Sequence, residues 1–353
     1  MAGNEKTIVI AGVGMATPVG LSANDTYYTV RAGVGQFREI QIVDRARRFI
    51  DMATIPNNCM EWHPREKPGR QPLGFAERLY SLNKMAHEDL EFNLRPTSIQ
   101  KERFPLYMGV PSLLLDRAQF IEFYNATEGL LNINDESIRI YSNDRAASLI
   151  ALHDAMQSIK SGKIRGAYVG GCDSYASPRI LHNLDRKRRL KTFDNLDAFI
   201  PGEGAGILLV TTEDVARQNN CPVYARLTGS KRGFEEGHLE CDAPYRGDGL
   251  ASCVTQLLEA TEPAPNVAHI YTSQNGEEYW AKEWGTTYIR NSERFEYEFS
   301  INHPAECIGD TGAACGVIIA GLAAMAHWKG HIKTDTLVYA SADAGERCAV
   351  LLG

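Results

Sequence analysis

The chain has 353 residues, enough to bury a sizeable core as one large domain or as two closely packed ones. Apolar residues at 44% and charged residues at 23% are ordinary for a globular protein, and 37 basic against 44 acidic residues argue against general nucleic-acid binding. Eight scattered cysteines without a C-x-x-C pair indicate neither a zinc site nor a disulfide framework, and the longest apolar helix candidate, Gly316 to Ala326, is too short for a membrane span.

In chain order, Lys6 to Ile10 predicts a strand without a basic leader ahead of it, and cysteines that form no framework make a reducing cytoplasm the expected location. The glycine-punctuated loop Gly12 to Gly20 is not a dinucleotide fingerprint, because Pro18 and the spacing break G-x-G-x-x-G, and no cofactor is expected. Asn24 to Ala32 predicts a helix, Gln36 to Gln71 an irregular surface excursion, and Phe75 to Glu91 a helix with apolar residues at helical spacing. Phe104 to Val110 predicts a strand and Leu113 to Tyr124 a helix.

Next comes a strand, Ser137 to Tyr141, that hands over through a short polar elbow to a helix from Ser148 to Ile159, with Leu149, Leu152, Ala155, Met156 and Ile159 on one face. Such a junction presents one side chain at the positive end of a helix, a place suited to a nucleophile or an anion. Here that side chain is Arg145, a cation, which is disfavoured there unless it finds a carboxylate or binds an anionic ligand.

Ala167 to Val169 and Ile207 to Val210 are further strands. A second round begins at Pro222: strand Val223 to Leu227, helix Leu250 to Ala260, strand Ala268 to Thr272, helix Thr311 to Trp328, then strands Thr336 to Ala340 and Arg347 to Leu352. Strands alternating with helices imply an α/β fold with a mainly parallel sheet, and two rounds imply two related halves, residues 1–220 and 221–353.

Four stretches resemble the β-ketoacyl synthase branch of the thiolase-like family: VIAGVGMATPVGLS near the start, the run from Ser148 to Gly171, FIPGEGAGILLV from Phe199 to Val210, and IGDTGAACG from Ile308 to Gly316. The resemblance implies a thiolase-like fold of two pseudo-symmetric halves in layered α/β arrangement. It implies a dimer, paired through Ser137 to Tyr141, and chemistry by a cysteine thiolate with two histidines. Matched to that set, Arg145 stands at the cysteine, Ser273 at the first histidine and Asp310 at the second, so no catalytic residue is expected from the family's set. The family's glycine-rich end motif is reduced to SADAG, residues 341 to 345.

If the fold is kept, Arg145 and Asp310 should meet as an ion pair. Cys172 and Cys315 lie in runs of small apolar residues and read as buried and inert. The basic run Arg186 to Lys191 reads as a solvated loop, or as a surface for an acidic partner. His238, His269 and His303 show no metal spacing, and Gly202, Gly204 and Gly206 suit tight backbone turns.

The resulting expectation is a non-condensing, chain-length-factor-like partner subunit, as a homodimer or a heterodimer with a synthase, with an acyl carrier protein as a further partner. Two alternatives are a scaffold beside a secretion system and its effector proteins, and an acyltransferase with relocated catalytic residues.

Overall fold

The structure is a computed structural model that describes residues 6–60, 74–112, Phe123, Thr127 and 133–353, without the side chains of 133–137. The first strand, β1 (Ile8–Ala16), is buried at every position, because both of its faces and both of its edges are covered. Helix α1 (Ala23–Arg31) comes next, capped by the Ser22 hydroxyl accepting from the Asp25 N–H at 3.1 Å. Helix α2 (Phe75–Leu94) lies across one face of the first sheet section.

That section contains β4 (Phe104–Gly109), β5 (Ile133–Tyr141), β6 (Gly166–Ser174) and β7 (Glu203–Thr212) besides β1. The second contains β8 (Ala225–Phe234), β9 (Val267–Thr272), β10 (Phe295–Asn302), β11 (Asp335–Ser341) and β12 (Glu346–Leu352). Hydrogen bonding orders them β10-β9-β11-β12-β8-β1-β7-β6-β4-β5. Numbered within its own section, each set of five therefore runs first-fifth-fourth-second-third, the same path taken twice. Pairing is parallel among β9, β10 and β11 and among β4, β5 and β6, and antiparallel through the middle, so the sheet is mixed.

Helices α3 (Ala147–Lys160), α4 (Pro178–Arg186), α5 (Glu213–Gln218), α6 (Asp248–Glu259), α7 (Glu278–Asn291), α8 (Ala305–Ile308) and α9 (Cys315–Trp328) complete the layers. α3 and α9 pack against each other between the two sheet sections, α2 covers the first section outside, and α6 with α7 covers the second. α9 is apolar all round from Val317 to Ala326, as a central-layer helix must be. The Ser148 hydroxyl accepts from the Val317 N–H at 3.0 Å, and a Cβ at Gly316 would meet Leu149 N at 2.5 Å. Only glycine permits this approach.

Several expectations change. Within Gln36 to Gln71 the described part is not irregular: β2 (Arg38–Val43) and β3 (Phe49–Met52) form a hairpin whose alternation places Ile50 and Met52 inside. Buried Glu203 anchors the segment after the hairpin, accepting from the Ile55 N–H at 2.7 Å and pairing with Arg78. The expected strand Val223 to Leu227 starts two residues later and runs on to Phe234. Helix α7 and strand β10 are additions to the expected elements; in α7, Gly285 and Thr286 interrupt a buried face carried by Trp280, Trp284 and Thr287. The expected helix Leu113 to Tyr124 lies outside the described residues, Phe123 apart.

The packing at the central helices generates a paired expectation. Gly316→Ala should lower the free energy of unfolding by about 1–3 kcal/mol through overpacking. Gly285→Ala, where an added Cβ meets nothing within 4 Å, should raise it by roughly 0.5–1 kcal/mol. Urea unfolding of the two variants reads both signs.

Candidate functional site

β5 ends at Tyr141, and a single 3₁₀ turn, Asp144–Ala146, leads into α3. Asp144 takes a positive φ of 46°, an uncommon conformation for a residue with a side chain, and its carboxylate accepts from the Ser112 hydroxyl at 2.9 Å. The elbow turns Arg145 inward, where its side chain is 2% exposed.

Asp310 reaches the same point from the segment between α8 and α9. Its backbone is held by the segment after Phe199: Gly202 N donates to Asp310 O at 2.8 Å and Asp310 N to Ile200 O at 2.9 Å. A Cβ at Gly202 would meet Ile308 O at 2.3 Å, so this glycine serves close backbone approach rather than a phosphate.

The expected pair forms. Arg145 Nη1 donates to Asp310 Oδ2 at 3.1 Å, Nη2 donates to Asp343 Oδ1 at 2.7 Å, and Nε lies 3.3 Å from the Ser341 carbonyl. The guanidinium carbon sits 4.3 Å from the centre of the Trp280 ring, adding a cation–π contact. Asp310 also accepts from Asn275 Nδ2 at 2.7 Å and from the Gly312 N–H at 2.8 Å.

A second cation closes the circle. Arg189 donates from Nε and Nη2 to both oxygens of Glu277, at 2.6 and 2.7 Å, and from Nη1 to Asp343. Asn275 Nδ2 joins Glu277 to Asp310, and Trp280 Nε1 donates to Glu277 at 3.0 Å. Two guanidiniums thus face three carboxylates in one ring of hydrogen bonds. The expectation of a solvated loop for Arg186 to Lys191 fails at Arg189, whose side chain is 13% exposed because Glu277 and Asp343 draw it inward.

Ser273 takes a supporting place. Its hydroxyl accepts from the Ser341 N–H at 3.0 Å, holding the residue whose carbonyl receives Arg145, while Asn275, two residues on, is the side chain that touches Asp310. Sequence reasoning does not find Asn275, Glu277, Trp280 and Asp343 as site residues. Their signal in the sequence is slight: the loop QNGEEYW after a strand, and an acid where SADAG replaces a glycine-rich end.

Electrostatics here are set by burial against pairing. Burial opposes charge on Arg145, yet Asp343, Asp310 and Glu277 outweigh it and hold the guanidinium well above its ordinary value. Burial likewise opposes ionisation of Asp343, but Arg145 and Arg189 hold its carboxyl down at about 2. Glu277 is lowered by Arg189 in the same way, against burial. Asp173, nearby and fully enclosed, goes the other way: burial pushes it up to about 7 despite N–H donors from Ser174 and Ala313.

Neither cysteine is primed as a nucleophile. Cys315 opens α9, but burial, reinforced by Asp310, pushes its thiol up to about 12, and burial holds Cys172 well above its ordinary range. A cavity of about 560 Å³ lies over the site, with Asp173, Tyr175 and Arg145 toward its floor and Arg179, Arg186 and Lys187 on its α4 side. Among the described residues no group of three His, Cys, Asp or Glu is placed to hold a metal ion.

Residues 140–216, which contain the elbow, α3, β6 and β7, match the family described as the beta-ketoacyl synthase N-terminal domain. The chain is β-ketoacyl synthase-like. The ketosynthase-like chain is 27% identical over 260 residues to the pikromycin polyketide synthase component PikAII of Streptomyces venezuelae, covering 66% of itself and 7% of that protein. It therefore spans less than a tenth of the length of this relative.

Two solved structures share its thiolase-type fold over 99% of both chains. One is the ishigamide ketosynthase/chain length factor, at TM-score 0.78 and 16% identity. The other is a type II polyketide synthase acyl-carrier protein in complex with its ketosynthase, at TM-score 0.78 and 15% identity.

The ion ring generates two expected outcomes. Arg145→Ala and Asp310→Ala should each cost about 3–5 kcal/mol by leaving a buried charge short of a partner. The double variant should be damaged by at least ~1 kcal/mol less than the two singles added, read by urea unfolding. Lowering the pH tests the carboxylates. A depressed carboxylate contributes stability that is complete above its unfolded value, near pH 4, and is lost as the pH falls toward about 2. Unfolding free energy measured from pH 5 downward should therefore fall, and Asp343→Asn should flatten that fall by about one proton.

Proposed function

We propose that this ketosynthase-like chain is a non-condensing subunit that works by binding, with Arg145, Ser273 and Asp310 standing at the positions of the family's thiol and two histidines. The observation that carries the reading is the Arg145–Asp310 contact at the start of α3. A thiolate and an imidazole would need that space, and a buried ion pair fills it. The high-lying thiols of Cys172 and Cys315 support the same reading.

The chain is proposed to act beside an active synthase, in the manner of a chain length factor, and to meet an acyl carrier protein at the cavity above the site. The near-complete coverage of a ketosynthase/chain length factor neighbour supports this. It is proposed to divide into halves 1–220 and 221–353, supported by the repeated strand order, and to dimerise through β5. Among the described residues β5 is the last strand at one end of the sheet, and a strand edge in that place is a pairing surface.

Incubation with a hexanoyl-loaded acyl carrier protein should leave the intact mass unchanged. A stoichiometric acyl adduct would overturn the reading and direct attention to Cys315 and Cys172. Light scattering at micromolar concentration should give twice the chain mass for the protein alone, or a one-to-one complex when a cognate synthase is added. A monomer under both conditions removes the pairing proposed for β5.

A further inference from the structure

A second cavity, of about 240 Å³, opens between α1, β9, β10 and the last turns of α9. On a chain with net charge −7 its lining holds no carboxylate. Arg31, His269, His331, Tyr27 and Tyr271 supply its polar wall, and Val30, Leu322 and Ile332 supply an apolar one.

Some of these polar groups are already engaged. The Tyr27 hydroxyl is 2.6 Å from His331 Nδ1, with the two rings stacked at 12°, and His269 Nδ1 is 2.7 Å from the Ser300 hydroxyl. These contacts fix both imidazoles in place.

Two groups keep capacity to spare. Tyr271 is 7% exposed, yet its hydroxyl meets no hydrogen-bond partner among the described residues. A phenol so enclosed ordinarily finds one. Burial pushes its pKa above the ordinary value, so the hydroxyl keeps its proton and stays a donor. Arg31, in the last turn of α1, lies beside the Tyr27 hydroxyl but makes no ion pair among the described residues, and its charge is felt by both Tyr27 and Tyr271. A largely buried tyrosine whose hydroxyl opens on the cavity and an exposed guanidinium without a counter-charge among the described residues thus converge on a space with one apolar wall.

We propose that this cavity binds a small organic carboxylate, its oxygens held by Arg31 and the Tyr271 hydroxyl and its apolar body against Val30, Leu322 and Ile332. Charge-assisted bonds from a guanidinium and a phenol suit a carboxylate. The volume, below the usual range for drug-sized ligands, limits the body to a small one. The inference is independent of the reading of the ion ring.

The test uses the full chain with benzoate as the probe, followed by calorimetric titration and by the imidazole resonances of His269 and His331. Saturable binding that shifts both imidazoles is expected. Arg31→Gln and Tyr271→Phe should each weaken it about tenfold or more while leaving the unfolding midpoint without benzoate unchanged. Inorganic phosphate should bind distinctly more weakly, since it cannot use the apolar wall. The proposal fails if benzoate gives no saturable response up to roughly 50 mM, if both variants bind like the parent chain, or if phosphate and benzoate bind alike.

Discussion

A guanidinium held out of water at the start of a helix is the constraint on which the site depends. Arg145 faces the positive end of α3 with 2% of its side chain exposed, a position that costs free energy unless carboxylates surround it. Those carboxylates come from three separate places: Asp310 ahead of α9, Asp343 between β11 and β12, and Glu277 ahead of α7. Satisfying one cation therefore ties together segments that are far apart in sequence. Arg189 shares two of the acids and draws the loop after α4 into the same structure.

Such rings specify geometry more than they add stability, because desolvation offsets much of the attraction. Their main effect is to exclude alternative occupancy. The packing beneath leaves little freedom to rearrange, since α3 and α9 meet with a glycine against backbone and with Ser148 bonded to Val317 N. The ring thus rests on a central layer that cannot shift without clashing.

The sequence carries the fold through its periodic elements and through glycines that stand where chains cross closely. The Arg145–Asp310 pair is legible for the same reason: both residues sit inside runs whose neighbours announce their place, SLIALH on one side and IGDTGAACG on the other. Asn275, Glu277 and Asp343 lie on connections, where no period marks inward from outward, and only tertiary contact shows that they converge. Arg189 is hidden by its company, since a cation among five other residues of a basic run reads as solvated until a partner comes into view. The hairpin of β2 and β3 is obscured by the prolines that come after it.

The place of β1 in the sheet bears on how the chain is made. Among the described residues its neighbours in the sheet are β7 and β8, and Ile8 pairs with Thr212 on one side and Leu227 on the other. β1 therefore has no sheet partner until β7 (Glu203–Thr212) and β8 (Ala225–Phe234) have been synthesised behind it. At about 5–20 residues per second that wait is on the order of 10–40 s. A fully apolar strand, IVIAGVGMA, must spend that time unpaired. Birth order and sheet order are opposed at β1, a strand that needs protection while its partners are being made.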